Sequence, residues 1–175
     1  MTARNHILYI IGFMGSGKST AGKKIASHLD WSFIDLDKKI EEHIGKTIPE
    51  IFSQDGENYF REIESKLLRG FKSVSDTVIS TGGGTPCHSD NMNFMLETGL
   101  TLYLKLTPAE LKSRLSGSKG KRPLIKDIDN KNLIGFIEKK LRDREKWYDR
   151  SDIIIPGIDL DINLLVSLVK SRLNI

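Results

Sequence analysis

Three stretches of this chain combine residue types at spacings that can do chemistry. The first is Gly12-Phe13-Met14-Gly15-Ser16-Gly17-Lys18-Ser19-Thr20: a glycine, four residues, then Gly-Lys-Ser. That spacing matches a phosphate-binding loop. Its glycines let successive backbone N–H groups face one point, and a helix starting there adds partial positive charge. Gly15, Ser16, Gly17 and Thr20 supply the cradle. Lys18 brings an ammonium to the outer phosphates, and the Ser19 hydroxyl can ligate the Mg2+ that bridges them. The second stretch is Asp35-Leu36-Asp37. One carboxylate near the metal and another near an acceptor hydroxyl suit phosphoryl transfer, which depends on positioning and charge neutralisation. Asp37 can orient that hydroxyl and take its proton; the competing reading is that one of the two carboxylates merely caps the next helix. The third is Ser116-Gly117-Ser118-Lys119-Gly120-Lys121-Arg122-Pro123. A basic, glycine-containing loop can close over a nucleotide and present an arginine to the transferring group; the competing reading is a solvated charge run.

Other charged groups are less telling. Arg61 and Glu64 stand three apart, which suits a local helix ion pair worth only ~0.2–0.5 kcal/mol, or a braced arginine gripping an anion. Arg142, Arg144 and Arg150 lie on one predicted helix, and periodicity does not choose among them. Gly82-Gly83-Gly84 follows a β-branched run, the sign of a backbone that something approaches closely. The four histidines have no metal-ligand spacing, and a single cysteine, Cys87, excludes an internal disulfide or a Cys-based metal cluster.

Elements that would position these groups follow from hydrophobic periodicity. An apolar run, Ile7 to Ile11, precedes the phosphate loop, and a helical pattern from Thr20 to Leu29 follows it. Trp31 to Ile34 reads as a second strand ending at Asp35. A helix with Ile40 and Ile44 on one face stops at Gly45. Thr47-Ile48-Pro49-Glu50 has the form of a capping box, and Phe60, Ile63, Glu64, Leu67, Leu68 and Phe71 mark a longer amphipathic helix. Strands are expected over 77–81, 100–106 and 153–155, with helices over 89–97, after Thr107-Pro108, over about 132–150 and over 162–173. Alternating strands and helices predict an α/β fold: a three-layer parallel sheet with helices on both faces. Ligands of such sheets bind outside the carboxyl ends of the strands, where the phosphate loop, Asp35, Asp37 and the triple glycine all fall.

The bulk properties fit one soluble domain. The chain has 175 residues, 38% hydrophobic and 29% charged, with a net charge of +4. Its basic residues are interleaved with acids, unlike the continuous basic face of a nucleic-acid binder. Five successive apolar residues near the N-terminus are too few for a signal core or membrane span. The expectation is a cytoplasmic protein with no membrane or nucleic-acid partner, and a monomer.

In order along the chain, Gly12 to Thr20, Phe33-Ile34-Asp35-Leu36-Asp37, Gly56-Glu57 with Phe60-Arg61 and Glu64, Ser80 to Gly84, Arg122-Pro123-Leu124, and Arg144 with Tyr148 resemble shikimate kinases. The resemblance runs over nearly the whole chain. It implies a single P-loop NTPase domain of the nucleoside-monophosphate-kinase type over 1–175. Substrate-binding helices would occupy about 37–72 and a mobile lid about 116–129. It also implies ATP and Mg2+, and transfer of the γ-phosphate to the 3-hydroxyl of shikimate. By the same resemblance Asp37 would be the candidate base, while Arg61 and Arg144 would hold the shikimate carboxylate and the Gly83 backbone would approach the ring. Lys18 and Arg122 would bind the phosphates as catalytic cations. Ser19 would ligate Mg2+, with Asp35 reaching it through water, and Arg114 would lie near the adenine. Two alternatives stay open: another small-molecule kinase of this fold, such as a gluconate kinase, and a nucleotide-dependent binding module.

Overall fold

The computed structural model describes residues 6–117, 125 and 128–175. Five strands, β1 Ile7–Ile11, β2 Ser32–Asp35, β3 Thr77–Ser80, β4 Leu100–Lys105 and β5 Ile153–Pro156, form one parallel sheet in the order β2-β3-β1-β4-β5. Central β1 sets Ile10 opposite Ser80 of β3 and opposite Leu102 of β4. Because helices cover both faces, β1 is buried along its whole length and reads as a continuous apolar run. Its side chains alternate between two cores. Ile7, Tyr9 and Ile11 join Ile79 and Tyr103 on one face, while Leu8 and Ile10 join Val78, Leu102 and Leu104 on the other.

Helices α1 (Lys18–Leu29) and α8 (Ile162–Leu173) cover the second face through Ala21, Ile25, Leu165 and Val169. The first face carries α2 (Leu36–Ile44), α3 (Ile48–Gln54), α4 (Gly56–Gly70), α5 (Asn91–Thr98), α6 (Pro108–Ser116) and α7 (Asn130–Tyr148). Ile40, Ile51, Phe60, Met95, Leu111 and Leu133 are among the residues they bury. This is the three-layer arrangement that the alternation predicts. No described helix is long and apolar enough to cross a membrane.

Helix starts follow local chemistry. Both α3 and α6 open on complete capping boxes, Thr47 with Glu50 and Thr107 with Glu110, each with a proline in the first turn. Such a cap contributes about 1 kcal/mol. The helix expected from residue 89 begins instead at Asn91, because Ser89 and Asp90 sit at φ of 50° and 59°, outside the right-handed helical region. The long helix expected over about 132–150 spans Asn130–Tyr148. α2 starts at Leu36 directly after β2, so Asp35 is its N-cap and Asp37 lies in its first turn.

From β1 the chain moves first to β2 and β3 on one side, and later to β4 and β5 on the other. That reversal of direction opens a crevice at the carboxyl end of β1, where the loop 12–17 leads into α1.

Candidate active site

The loop between β1 and α1 turns on glycine. Gly15 and Gly17 hold φ of 80° and 91°, and Gly17 passes from this left-handed conformation straight into the first turn of α1. The Lys18 ammonium reaches the carbonyls of Gly12 and Phe13, each at 2.9 Å, and so lies along the inner rim of the loop. The Ser19 hydroxyl donates to Asp35 Oδ2 at 2.8 Å and lies 3.2 Å from the Ser80 hydroxyl. Asp35 also caps α2, its other oxygen accepting from the Lys38 N–H at 3.3 Å. Capping and metal chemistry are therefore compatible at this residue. A hydroxyl beside a carboxylate is a hard oxygen pair of the kind Mg2+ takes alongside water and nucleotide phosphates, so the residues present fit the ion.

Arg114 lies behind the loop. Its guanidinium donates to the Ser16 carbonyl at 2.9 Å and to the Gly157 carbonyl at 3.1 Å, linking the phosphate loop to the turn after β5. Arg122 and the basic segment around it lie outside the described residues, as does most of the expected lid.

Across the crevice the groups come from four separate elements. Asp37 projects from the first turn of α2, and its carboxyl is pushed up to about 6. Burial is the largest cause. The negative charges of Glu64 and Asp35 add to it, and the cations Lys18 and Arg61 oppose it. Arg61, on α4, donates to Glu64 at 2.8 Å and to Glu57 at 3.1 Å and 3.3 Å. Burial works against its charge, but the two glutamates outweigh that and raise its pKa. Glu64 is fully buried and Glu57 is more than half exposed, so the two partners differ in kind.

Arg144, on α7, is 9% exposed and lies over the Phe13 ring at 5.4 Å. Its Nη1 has no hydrogen-bond partner among the described residues. An unpaired buried guanidinium nitrogen is costly, and an anion entering the crevice would satisfy it. The triple glycine runs between the two arginines. A Cβ on Gly83 would lie 3.2 Å from Arg144, and one on Gly84 only 2.5 Å from Arg61, so side chains here would displace both guanidinium groups. Tyr148, one turn beyond Arg144, donates its hydroxyl to the Gly83 carbonyl and holds that strand of backbone.

One cavity of about 560 Å3 joins the two sides. Gly15, Gly17, Lys18, Ser19, Thr20, Asp35, Asp37, Arg61, Gly83 and Arg144 all line it. Ser16 is buried within the loop, and Arg114 lies outside the cavity wall. A separate groove of about 620 Å3 runs between residues 105–108, α7 and β5. It is slightly larger but holds none of the predicted residues, so the smaller one is the candidate site. Sequence reading assigned no role to the apolar wall, made by Ile48, Pro49, Phe52 and Phe60. Its signal was present: a capping box fixes where α3 starts, and Ile48 and Phe52 then share a helix face.

A phosphate-binding loop facing a buried carboxylate and two arginines defines a P-loop phosphotransferase whose acceptor is a hydroxyl on a small anion. Comparison with known proteins narrows this. The family model for shikimate kinase matches residues 14–166. A curated shikimate kinase of Phocaeicola vulgatus is 39% identical over 171 residues, covering 95% of this chain and 98% of its own. The crystal structure of a shikimate kinase from Bacteroides thetaiotaomicron superposes with a TM-score of 0.88 at 37% identity, covering 97% of this chain and 99% of that one. One from Acinetobacter baumannii, in complex with shikimate, gives 0.86 at 28% identity over 97% and 94%. The chain belongs to the shikimate kinase family.

Proposed function

We propose that this chain transfers the terminal phosphoryl group of ATP to the 3-hydroxyl of shikimate, giving shikimate 3-phosphate and ADP. One observation carries the reading. A single cavity unites the phosphate loop with Asp37 and with two arginines, one of which, Arg144, keeps a buried guanidinium nitrogen without a hydrogen-bond partner among the described residues. The first set suits the donor, and the second suits a small hydroxy acid.

The division of labour follows from charge and position. Loop N–H groups and Lys18 hold the β- and γ-phosphates, and the Ser19 hydroxyl with Asp35, through water, would hold Mg2+. That ion, when bound, neutralises phosphate charge. Arg61 and Arg144 take the acceptor's carboxylate and so fix which ring hydroxyl faces the donor, while the Gly83 backbone, lacking a side chain, lets the ring come close. Asp37 orients that hydroxyl and accepts its proton as the new O–P bond forms and the bond from the γ-phosphorus to the bridging oxygen breaks. A carboxyl raised to about 6 is a better proton acceptor than an ordinary aspartate and is still mostly ionised at neutral pH. Arg122 is assigned to the phosphates on the family resemblance of its Arg122-Pro123-Leu124 stretch alone. We also infer one kinase domain, with residues about 37–72 serving the acceptor, working as a cytoplasmic monomer without nucleic acid. The interleaved charges and single cysteine support the setting, and light scattering tests the oligomeric state.

The test is ATP turnover measured in parallel with shikimate, gluconate and nucleoside monophosphates. Strong stimulation by shikimate alone is the expected result. Stimulation by gluconate instead, or by none of them, overturns the assignment.

A further inference from the structure

The proposed function leaves unexplained how Glu64 is held. This carboxylate has no exposure at all, and a charge so placed needs a donor for each oxygen. One donor is Arg61, on Oε2 at 2.8 Å. The other comes from a different part of the chain. Thr85, itself fully buried in the turn after the triple glycine, donates its hydroxyl to Glu64 Oε1 at 2.6 Å.

The turn that carries Thr85 is anchored independently. Its N–H donates to the Gly82 carbonyl at 3.2 Å, and its own carbonyl accepts from the Asn91 side chain at 3.0 Å. Fully buried Asn91 accepts in turn from Ser65 at 2.6 Å and from Arg69 at 2.7 Å. Ser65 and Arg69 both lie on α4, the helix that carries Arg61 and Glu64. The Thr85 hydroxyl is thus fixed relative to that helix from two directions. Space is closed as well: a Cβ on Gly82 would meet the Thr85 hydroxyl at 2.9 Å and Glu64 Oε1 at 3.0 Å.

Arg61 consequently has two unlike ends. Nη1 is anchored on a buried carboxylate. Nε and Nη2 rest on Glu57, a partner more than half exposed and readily exchanged for another carboxylate. If Glu64 can turn, the planar fork turns with it, and the guanidinium loses its fixed orientation in the cavity wall.

We propose that Thr85 is a positioning residue of this site: through Glu64 it sets the orientation in which Arg61 receives the acceptor's carboxylate. The proposal rests on the reading of the site given above.

Thr85→Val keeps the shape and removes only the donor; Thr85→Ser restores a hydroxyl. Steady-state kinetics should show the KM for shikimate raised roughly tenfold in Thr85→Val, the scale of one lost hydrogen bond to a buried charge. The kcat and the KM for ATP should stay within about twofold, and Thr85→Ser should recover most of the wild-type KM. Melting temperatures of all three chains check folding. If the valine chain does not fold, Thr85→Ala, which adds no bulk, reads the same split. A folded Thr85→Val with a wild-type KM for shikimate overturns the proposal, as does a loss shared equally by kcat and both KM values, or a serine chain no better than valine. A wild-type chain that leaves shikimate unphosphorylated overturns the functional reading, and this proposal with it. Wild-type turnover with an unaffected valine chain overturns this proposal alone.

Discussion

The proposed donor and acceptor sides of the cavity are built on opposite principles. Nine consecutive residues, Gly12 to Thr20, form the donor side, between a strand and the helix it feeds. Its working groups are backbone N–H, one ammonium and one hydroxyl; the loop itself holds the first two, and only the hydroxyl also leans on distant partners, Asp35 and Ser80. The acceptor side collects Asp37, Arg61, Glu64, Gly82 to Gly84 and Arg144 from α2, α4, the turn after β3 and α7. Its working groups are buried charges held by tertiary contacts. A local turn can be specified by a short motif at little cost to the rest of the fold. A cluster of buried charges exists only if distant elements pack, and each unbalanced charge weighs against folding. Function and stability should therefore conflict on the acceptor side and not on the donor side.

The largest expected effect tests that conflict directly. Asp37→Asn should lower kcat by about 10²–10⁴-fold, the usual contribution of a positioned base, with ATP affinity nearly unchanged. The same variant should be more stable than wild type. A carboxyl at about 6 in the folded chain, against an ordinary 3.8, means the folded state holds its proton more tightly than the unfolded state. Wild-type stability then falls as pH rises through the window between those two values, and the deficit persists at neutral pH. Asn removes it. Thermal melts of the chain without nucleotide should show Asp37→Asn a few degrees above wild type at pH 7, a gap that narrows toward pH 4. Equal melting temperatures at pH 7 would remove the conflict that the comparison claims.

Next in size are changes that reach the acceptor's carboxylate without touching the donor. Arg61→Ala should raise the KM for shikimate by roughly 10–100-fold, as for loss of a charge-assisted contact, with the KM for ATP within about twofold. It also strands Glu64, so a drop in melting temperature should accompany it, opposite in sign to Asp37→Asn. Gly84→Ala reaches the same arginine from the backbone. Its added methyl would lie 2.5 Å from Nη2, so the guanidinium must shift by about 1 Å to reach ordinary contact. A rise in the KM for shikimate of roughly tenfold is expected, since displacements on that scale weaken an oriented contact. An alanine chain with wild-type kinetics would show that the close packing of Gly84 on Arg61 is incidental.

The same contrast explains what the sequence could and could not tell. The phosphate loop, the alternation of strands and helices, and the capping boxes at Thr47 and Thr107 are local patterns, and each stands where its spacing predicts. Asp35 shows the limit of a local pattern: capping α2 and bonding Ser19 proved to be properties of one carboxylate. Arg144 could not be told from Arg142 or Arg150 by helical period, because what distinguishes it is tertiary: the Phe13 ring below it and Gly83 beside it. On spacing alone Arg61 and Glu64 look like a surface pair, and the family resemblance was needed to reassign the arginine. A subtler signal was there, a glutamate inside the apolar stripe of Phe60, Ile63, Leu67 and Leu68, where an acid is tolerated only with buried partners. Thr85 gave no signal, since one threonine after three glycines has no period.

The smallest effect compares two nearly identical caps. Thr47→Ala and Thr107→Ala each remove a side-chain acceptor from a complete capping box, so each should cost about 1 kcal/mol and lower the melting temperature by ~2–4 °C. Their kinetic consequences should differ. The Thr47 box sets the start of α3, whose Ile48, Pro49 and Phe52 belong to the apolar wall of the cavity, on the proposed acceptor side. Fraying of that first turn moves the wall, and a two- to fourfold rise in the KM for shikimate is expected, on the order of a few tenths to 1 kcal/mol of a loosened contact. The Thr107 box starts α6, of which no residue lines the cavity; Arg114, near its far end, meets the phosphate loop only from behind. Thr107→Ala should therefore leave the KM for shikimate unchanged at the same loss of stability. Equal shifts in the two variants would mean that acceptor affinity tracks global stability instead of the local placement of α3.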